Sequence, residues 1–232
     1  MVHVYVGKVD SQYILLQHLT KLYIVHIGVV SEAFFYQQAL RLWGNLSAFK
    51  LNPPASIYSL ARAGLSDPAS GYAGNEADNS ANEADHIALG VVDLLGEKAE
   101  MLAEYLSLEI VNGQLCALPQ LVPGFVPPLC GLPLFILRLA TKVDWTAELP
   151  CFQGLARQLA LLFRVSAMGA ASQTEPGESA AAPATDASGD AVGREDEEAR
   201  SEAWTIQHVL LPAIRRDYEA PAAHSSNGTV VQ

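Results

Sequence analysis

The side chains able to do chemistry are few and scattered. Six histidines (His3, His18, His26, His86, His208, His224) include no pair at the i, i+4 spacing that sets two imidazoles on one helix face. None has a carboxylate at ligand spacing, so packed or surface histidines are the plainer reading. Cys116, Cys130 and Cys151 are too few and too far apart for a disulfide framework or a CxxC metal knuckle, and read as buried reduced thiols of a nuclear or cytosolic protein. Glu97, Glu100 and Glu104 lie on the polar side of an amphipathic stretch, without the apolar burial that paired catalytic carboxylates need. Asp144, beside Trp145, reads as a loop residue. There is no GxxxxGK[ST] loop, no GxGxxG after a strand, no HExxH and no GxSxG. No metal and no cofactor is expected.

The elements that would position any site begin with β structure. Val2, Val4 and Val6 alternate with other residues; Tyr13 to His18 and Lys21 to Ile27 are two further runs, turning near Leu19-Thr20. Gly28 marks a break. Ser31 can then cap a helix through Phe34, Phe35, Leu40 and Trp43 that ends near Gly44-Asn45. Asn52-Pro53-Pro54 reads as a stop, Ser56 to Leu65 as a short helix, and 66–85 as a polar loop. A longer helix is expected from His86 to Leu108, then a hairpin turning at Asn112-Gly113, which supplies the positive φ angles of such a turn. Ile110 to Leu137 carries no charge, but its five prolines would break a membrane span repeatedly. It reads instead as a buried, extended, proline-stiffened segment. Cys151 to Met168 is a further amphipathic helix. Trp204 to Leu211 is another, which Pro212 must kink or restart, and Thr229 to Gln232 begins a strand.

The chain has 232 residues, half of them apolar, and a net charge of −11, the wrong sign for a strong sequence-independent grip on nucleic acid. Residues 169–202 hold nine acidic and two basic residues, a net of −7, leaving −4 for the rest. That Ala/Ser/Gly/Pro/acid stretch reads as a disordered acidic loop rather than a binding face. The N-terminus lacks the basic start and apolar core of a signal peptide.

Longer strings carry more. Lys98-Ala-Glu-Met-Leu-Ala-Glu-Tyr-Leu-Ser-Leu-Glu-Ile and the run from Phe125 to Trp145 closely resemble the C-terminal domain of the eukaryotic MutL homologues of the Mlh type. So do Gln17-His-Leu-Thr-Lys-Leu-Tyr, Ser31-Glu-Ala-Phe-Phe-Tyr-Gln, Leu65-Ser-Asp-Pro-Ala-Ser-Gly-Tyr and Trp204-Thr-Ile-Gln-His, in the family's order across nearly the whole chain. The resemblance implies an α/β (α+β) dimerisation fold: a β-sheet with flanking helices, residues 1–54 and 151–232, around an inserted, mostly helical external subdomain, 55–150. It also implies a role in DNA mismatch repair, in the nucleus, as the non-catalytic half of a heterodimer with a Pms-type MutL paralogue, and a docking site for short peptides of other repair factors. The family's N-terminal ATPase is not in the sequence, so ATP hydrolysis is not expected of it, and the family's Phe-Glu-Arg-Cys ending is absent.

Endonuclease-competent MutL proteins carry Asp-Gln-His-Ala-x-x-Glu-x-x-x-x-Glu after a strand, where the acids and histidine hold a divalent metal. At the matching junction His26 stands for the Asp, Gly28 for the His and Gln37 for the final Glu; only Glu32 survives. One carboxylate cannot build a two-metal site, so the metal ligands are expected in the partner. The apolar residues of the helix after Ser31 cover more than one face, which points to a partner interface at Phe34, Gln37, Gln38, Leu40 and Arg41. The same residues could equally all pack inside. Two rival readings are a degenerate homodimeric nuclease using Glu32, His26 and a cysteine, and a non-functional fragment.

Overall fold

The computed structural model describes residues 3–10, 12–73, 80–165 and 200–220. Most of the acidic loop (169–202) and the expected strand at 229–232 lie outside the described residues; residues 200–202 are helical. The fold is α+β, with two three-stranded antiparallel sheets and helices. Two compact units divide the chain, one from residues 1–30 with 165–232, the other from 31–164.

In the first unit β1 (Val4–Lys8), β2 (Tyr13–His18) and β3 (Lys21–His26) form a meander in that order. Ile14 pairs with Val25, Leu16 with Tyr23 and Tyr5 with Leu16, setting these side chains on one face. Leu19, with φ at +56°, makes the turn between β2 and β3. The unit also contains α7 (200–217), which includes a wider turn at Ile206–Leu210 and a last segment, Leu211–Asp217, with Pro212 in its first turn. The helix runs on through Pro212, and the wider turn before it accommodates a residue with no N–H to give to the preceding turn.

α1 (Ile27–Arg41) follows β3 directly and spans the division between the units. Gly28 therefore does not break the chain, and Ser31 is no cap: it is fully buried inside the helix. The cap is His26, whose Nδ1 accepts from the Val29 N–H at 3.3 Å, while the Ile27 N–H donates to the Gln12 carbonyl at 2.9 Å. With those orphan donors met, the Ile27, Val30, Phe34 stripe starts the helix five residues early.

In the second unit β4 (Ser47–Ser56), β6 (Gln114–Gln120) and β5 (Glu109–Val111) form a sheet with β6 in the centre. Pro53 and Pro54 do not stop the chain but sit inside β4. They are tolerated because β4 is an edge strand whose register jumps between Lys50 and Ala55, where no ladder N–H is required of them. Asn112 and Gly113, at φ +50° and +70°, make the expected hairpin turn. Ser56 caps α2 (Ile57–Ser66) by accepting from the Ser59 N–H.

The expected loop at 66–85 is shorter, because α3 (Ser80–Glu97) already begins at residue 80. Asp85 is held there by the Tyr58 hydroxyl at 2.6 Å and by Arg62. Lys98 interrupts the single long helix expected, and α4 (Ala99–Leu106) ends on Ser107 in the left-handed region. The proline-rich run is extended only in part: α5 (Leu132–Lys142) accepts Pro133 in its first turn. α6 (Glu148–Phe163) begins and ends earlier than its apolar pattern suggested, since Arg164 leaves helical geometry at ψ 130°. Phe35 gathers the core, with Phe34, Phe125 and Phe163 rings at 5.3, 5.0 and 5.3 Å.

Candidate partner interface

Period-2 alternation in β1–β3 leaves one sheet face outward. Across it run Val4, Gln17 and Leu22 in one row, and Leu15 and Ile24 in the next, alongside Gly7 and the bulge residue Val6. Val4, Val6, Leu22 and Ile24 are 54%, 51%, 59% and 43% exposed, whereas Ile14 and Val25 on the opposite face are buried. No charged side chain falls in these two rows. An aliphatic surface of this kind, contiguous and free of charge, is what remains when a core is complete and apolar area is left over.

A second outward surface lies in the 31–164 unit. Trp43, just past α1, meets Phe152 of α6 at 4.9 Å with the rings tilted by 51°, and Tyr105 of α4 lies 6.0 Å from the same Phe152 ring. The Gly44 N–H donates to the Tyr105 carbonyl and fixes that meeting point. Tyr105 is exposed, Trp43 and Phe152 are half-buried, and Leu149 and Leu40 stand exposed within a turn of them. The indole Nε1 of Trp43 is buried and meets no hydrogen-bond partner among the described residues. No sequence signal joined these three aromatics, since they come from three separate helical regions, with Trp43 and Phe152 more than a hundred residues apart.

The α1 residues singled out from sequence divide by depth. Phe34 is fully buried and Gln38 nearly so, its Nε2 without a partner among the described residues; Gln37 is half-buried; Leu40 and Arg41 are exposed. Gln37, Leu40 and Arg41, at i, i+3 and i+4, share one side of the helix.

The groups a hydrolytic site would use are engaged otherwise. Glu32 pairs with Arg164 at 3.3 Å, and the His26 Nδ1 is taken by the helix cap. Burial, and after it the charge of Asp144, push the Cys151 thiol up, so it stays protonated. Asp144 is a turn residue, as its place beside Trp145 suggested: the Thr146 hydroxyl at 2.6 Å and N–H at 2.9 Å hold its carboxyl below the usual range. Among the described residues no three His, Cys, Asp or Glu side chains converge as metal ligands, and no helix is long and apolar enough to cross a membrane.

Comparison with known proteins adds the following. The family described as DNA mismatch repair protein Mlh1 C-terminus matches residues 1–232. DNA mismatch repair protein Mlh1 of Dictyostelium discoideum is 30% identical over 230 residues, covering 99% of this chain and 25% of the relative. DNA mismatch repair protein MLH1 of Saccharomyces cerevisiae is 32% identical, covering 94% of this chain and 27% of the relative. A putative MutL protein homolog 1 of Schizosaccharomyces pombe is 32% identical over 69% of this chain and 22% of its own length. The chain thus spans about a quarter of the length of the curated relatives it matches.

Proposed function

From its membership of the Mlh1 C-terminal family, we propose that this chain is the non-catalytic pairing domain of a mismatch-repair MutL heterodimer, working in the nucleus beside a Pms-type paralogue that carries the nuclease. The observation that carries this reading is the uncharged aliphatic face of the β1–β3 sheet, with Leu40 and Arg41 of α1 as further candidates for contact. The engagement of Glu32 by Arg164 and of His26 by the α1 N-terminus supports a structural rather than a hydrolytic role for both. In this reading residues 1–54 and 151–232 build the pairing subdomain and 55–150 the external one. Short peptides of other repair factors would dock elsewhere, and the half-exposed aromatic surface of Trp43, Tyr105 and Phe152 has the chemistry for it. Duplex DNA would be held weakly by this domain alone, given its charge.

The test is co-purification with a Pms-type C-terminal domain. A carboxylate at the centre of a buried apolar interface is desolvated without a partner, costing several kcal/mol. Leu22→Asp and Ile24→Asp should therefore abolish pairing while the chain alone keeps its circular dichroism spectrum. Leu40→Asp should weaken pairing if α1 contributes. Wild-type pairing by a soluble, folded Leu22→Asp/Ile24→Asp variant would refute the sheet as the interface. Metal-dependent nicking of plasmid by the purified chain, lost in Glu32→Ala, would establish the nuclease instead.

A further inference from the structure

α7 is tied to the edge strand β1 at both ends. The Lys8 ammonium meets the Glu202 carboxylate at 2.6 Å, and the Arg215 guanidinium donates to the His3 carbonyl. The thirteen residues from 202 to 215 rise about 20 Å as helix, and the five from His3 to Lys8 about 17 Å as strand. The two contacts therefore describe one helix laid antiparallel along one strand. The Lys8 end is an ordinary ion pair, but the His3 end is not.

There, His3 stacks on His18 of β2 with ring centroids 4.5 Å apart and planes 26° apart. Continuing the register, His18 faces Lys21 of β3 across the next strand gap. The row His3, His18, Lys21, with Arg215 above it, gathers four basic side chains from three strands and a helix. Other polar groups on this sheet face are the hydroxyls of Tyr5 and Tyr23, in the adjoining row. Glu202 is held by Lys8 and its charge acts on Tyr5, whose hydroxyl is pushed up by burial first and by that carboxylate second. Arg216 is spent on Asp217.

We propose that this row is an acid-sensitive clasp: a neutral His3 imidazole lets α7 close on β1, and its protonation opens that end. The cause is like-charge repulsion, because a charge on His3 would sit against the His18 ring stacked on it and the Arg215 guanidinium held at its own carbonyl. Burial, then His18 and then Arg215 hold the His3 imidazole below its ordinary value of about 6.5. A group so lowered in the folded state gives stability that is complete above the unfolded value and is lost as pH falls through 6.5 toward the folded value. The clasp stands without the pairing role. If that role also holds, release of β1 would loosen Val4 and Val6 on the other face and weaken pairing in acid.

The experiment is amide hydrogen exchange on the whole chain, as protection factors, between pH 7.5 and 5.5, with histidine proton titrations by NMR. Protection of Val4–Lys8 and of the last turn of α7 should fall by up to about tenfold per pH unit for each proton taken up on opening, while β4 and β6 keep theirs. His3→Gln/His18→Gln should remove that pH dependence. Should the double variant fail to fold, Arg215→Gln gives the second arm, in which His3 should titrate at higher pH than in the wild type. An unchanged pH dependence in the double variant, an unmoved His3 titration in Arg215→Gln, or wild-type His3 titrating above 6.5 would each overturn the clasp.

Discussion

The two sheets have the same strand number and the same antiparallel pairing, yet opposite surroundings. In β4-β6-β5 the central strand is sealed: Leu115, Ala117 and Leu118 are fully buried, and α2, α3 and α4 pack against the two edge strands. In β1-β2-β3 one face is equally dry at Ile14, while the other holds Leu22 and Ile24 in solvent. Strand alternation alone does not separate these cases. What separates them is supply: the helices of the 31–164 unit cover its sheet, whereas the outward face of β1–β3 is left aliphatic and exposed. A sealed sheet reports on stability, and an unsealed apolar one on association.

The largest expected effect follows from the sealed sheet. Leu118→Ala removes a fully buried side chain from the central strand and should cost about 2–5 kcal/mol, read as a lower urea midpoint at unchanged slope. A loss below 1 kcal/mol would mean that the sheet is not sealed. Next is the helical layer over it. A Cβ on Gly64 of α2 would stand 2.6 Å from the Pro133 carbonyl oxygen at the start of α5, and backbone cannot move aside cheaply. Gly64→Ala should therefore destabilise by about 1–3 kcal/mol through overpacking, although alanine is the better helix former. A more stable Gly64→Ala chain would show that α2 and α5 lie further apart than described.

The sequence made some of this legible and not the rest, for physical reasons. β2, the β3 run and the Asn112-Gly113 hairpin could be read directly because alternation and turn chemistry are local. The start of α1 could not, because Ser31 offers a plausible cap and Gly28 a plausible break. The true cap is His26, which depends on its imidazole turning back to the Val29 N–H, and Ser31 is buried by tertiary packing. Pro53 and Pro54 misled in the same way: a proline pair stops a strand only where its N–H groups are needed, and the register jump in β4 removes that need. Of the candidate surface, α1 showed an excess of apolar residues but not their depth, so Phe34 and Leu40 looked alike. The Trp43, Tyr105 and Phe152 cluster was invisible because it is assembled only by the fold.

The finest test uses neighbours on one strand. Val25 and Ile24 are adjacent in β3, both β-branched, and pleating sends them to opposite faces, 7% and 43% exposed. Threonine is β-branched too, so Val25→Thr and Ile24→Thr leave strand propensity nearly unchanged and isolate the effect of a hydroxyl on each face. On the buried side the hydroxyl is desolvated among Ile14 and its neighbours, and Val25→Thr should cost about 1–3 kcal/mol in the chain alone. On the outward side it meets water, so Ile24→Thr should stay within about 0.5 kcal/mol of wild type by thermal denaturation. Adding the partner should reverse the order: Ile24→Thr would then lower affinity several-fold, whereas the folded fraction of Val25→Thr would pair normally. Equal destabilisation by both substitutions in the chain alone would mean that the outward face is already covered within this molecule, and the contrast between the two sheets would vanish.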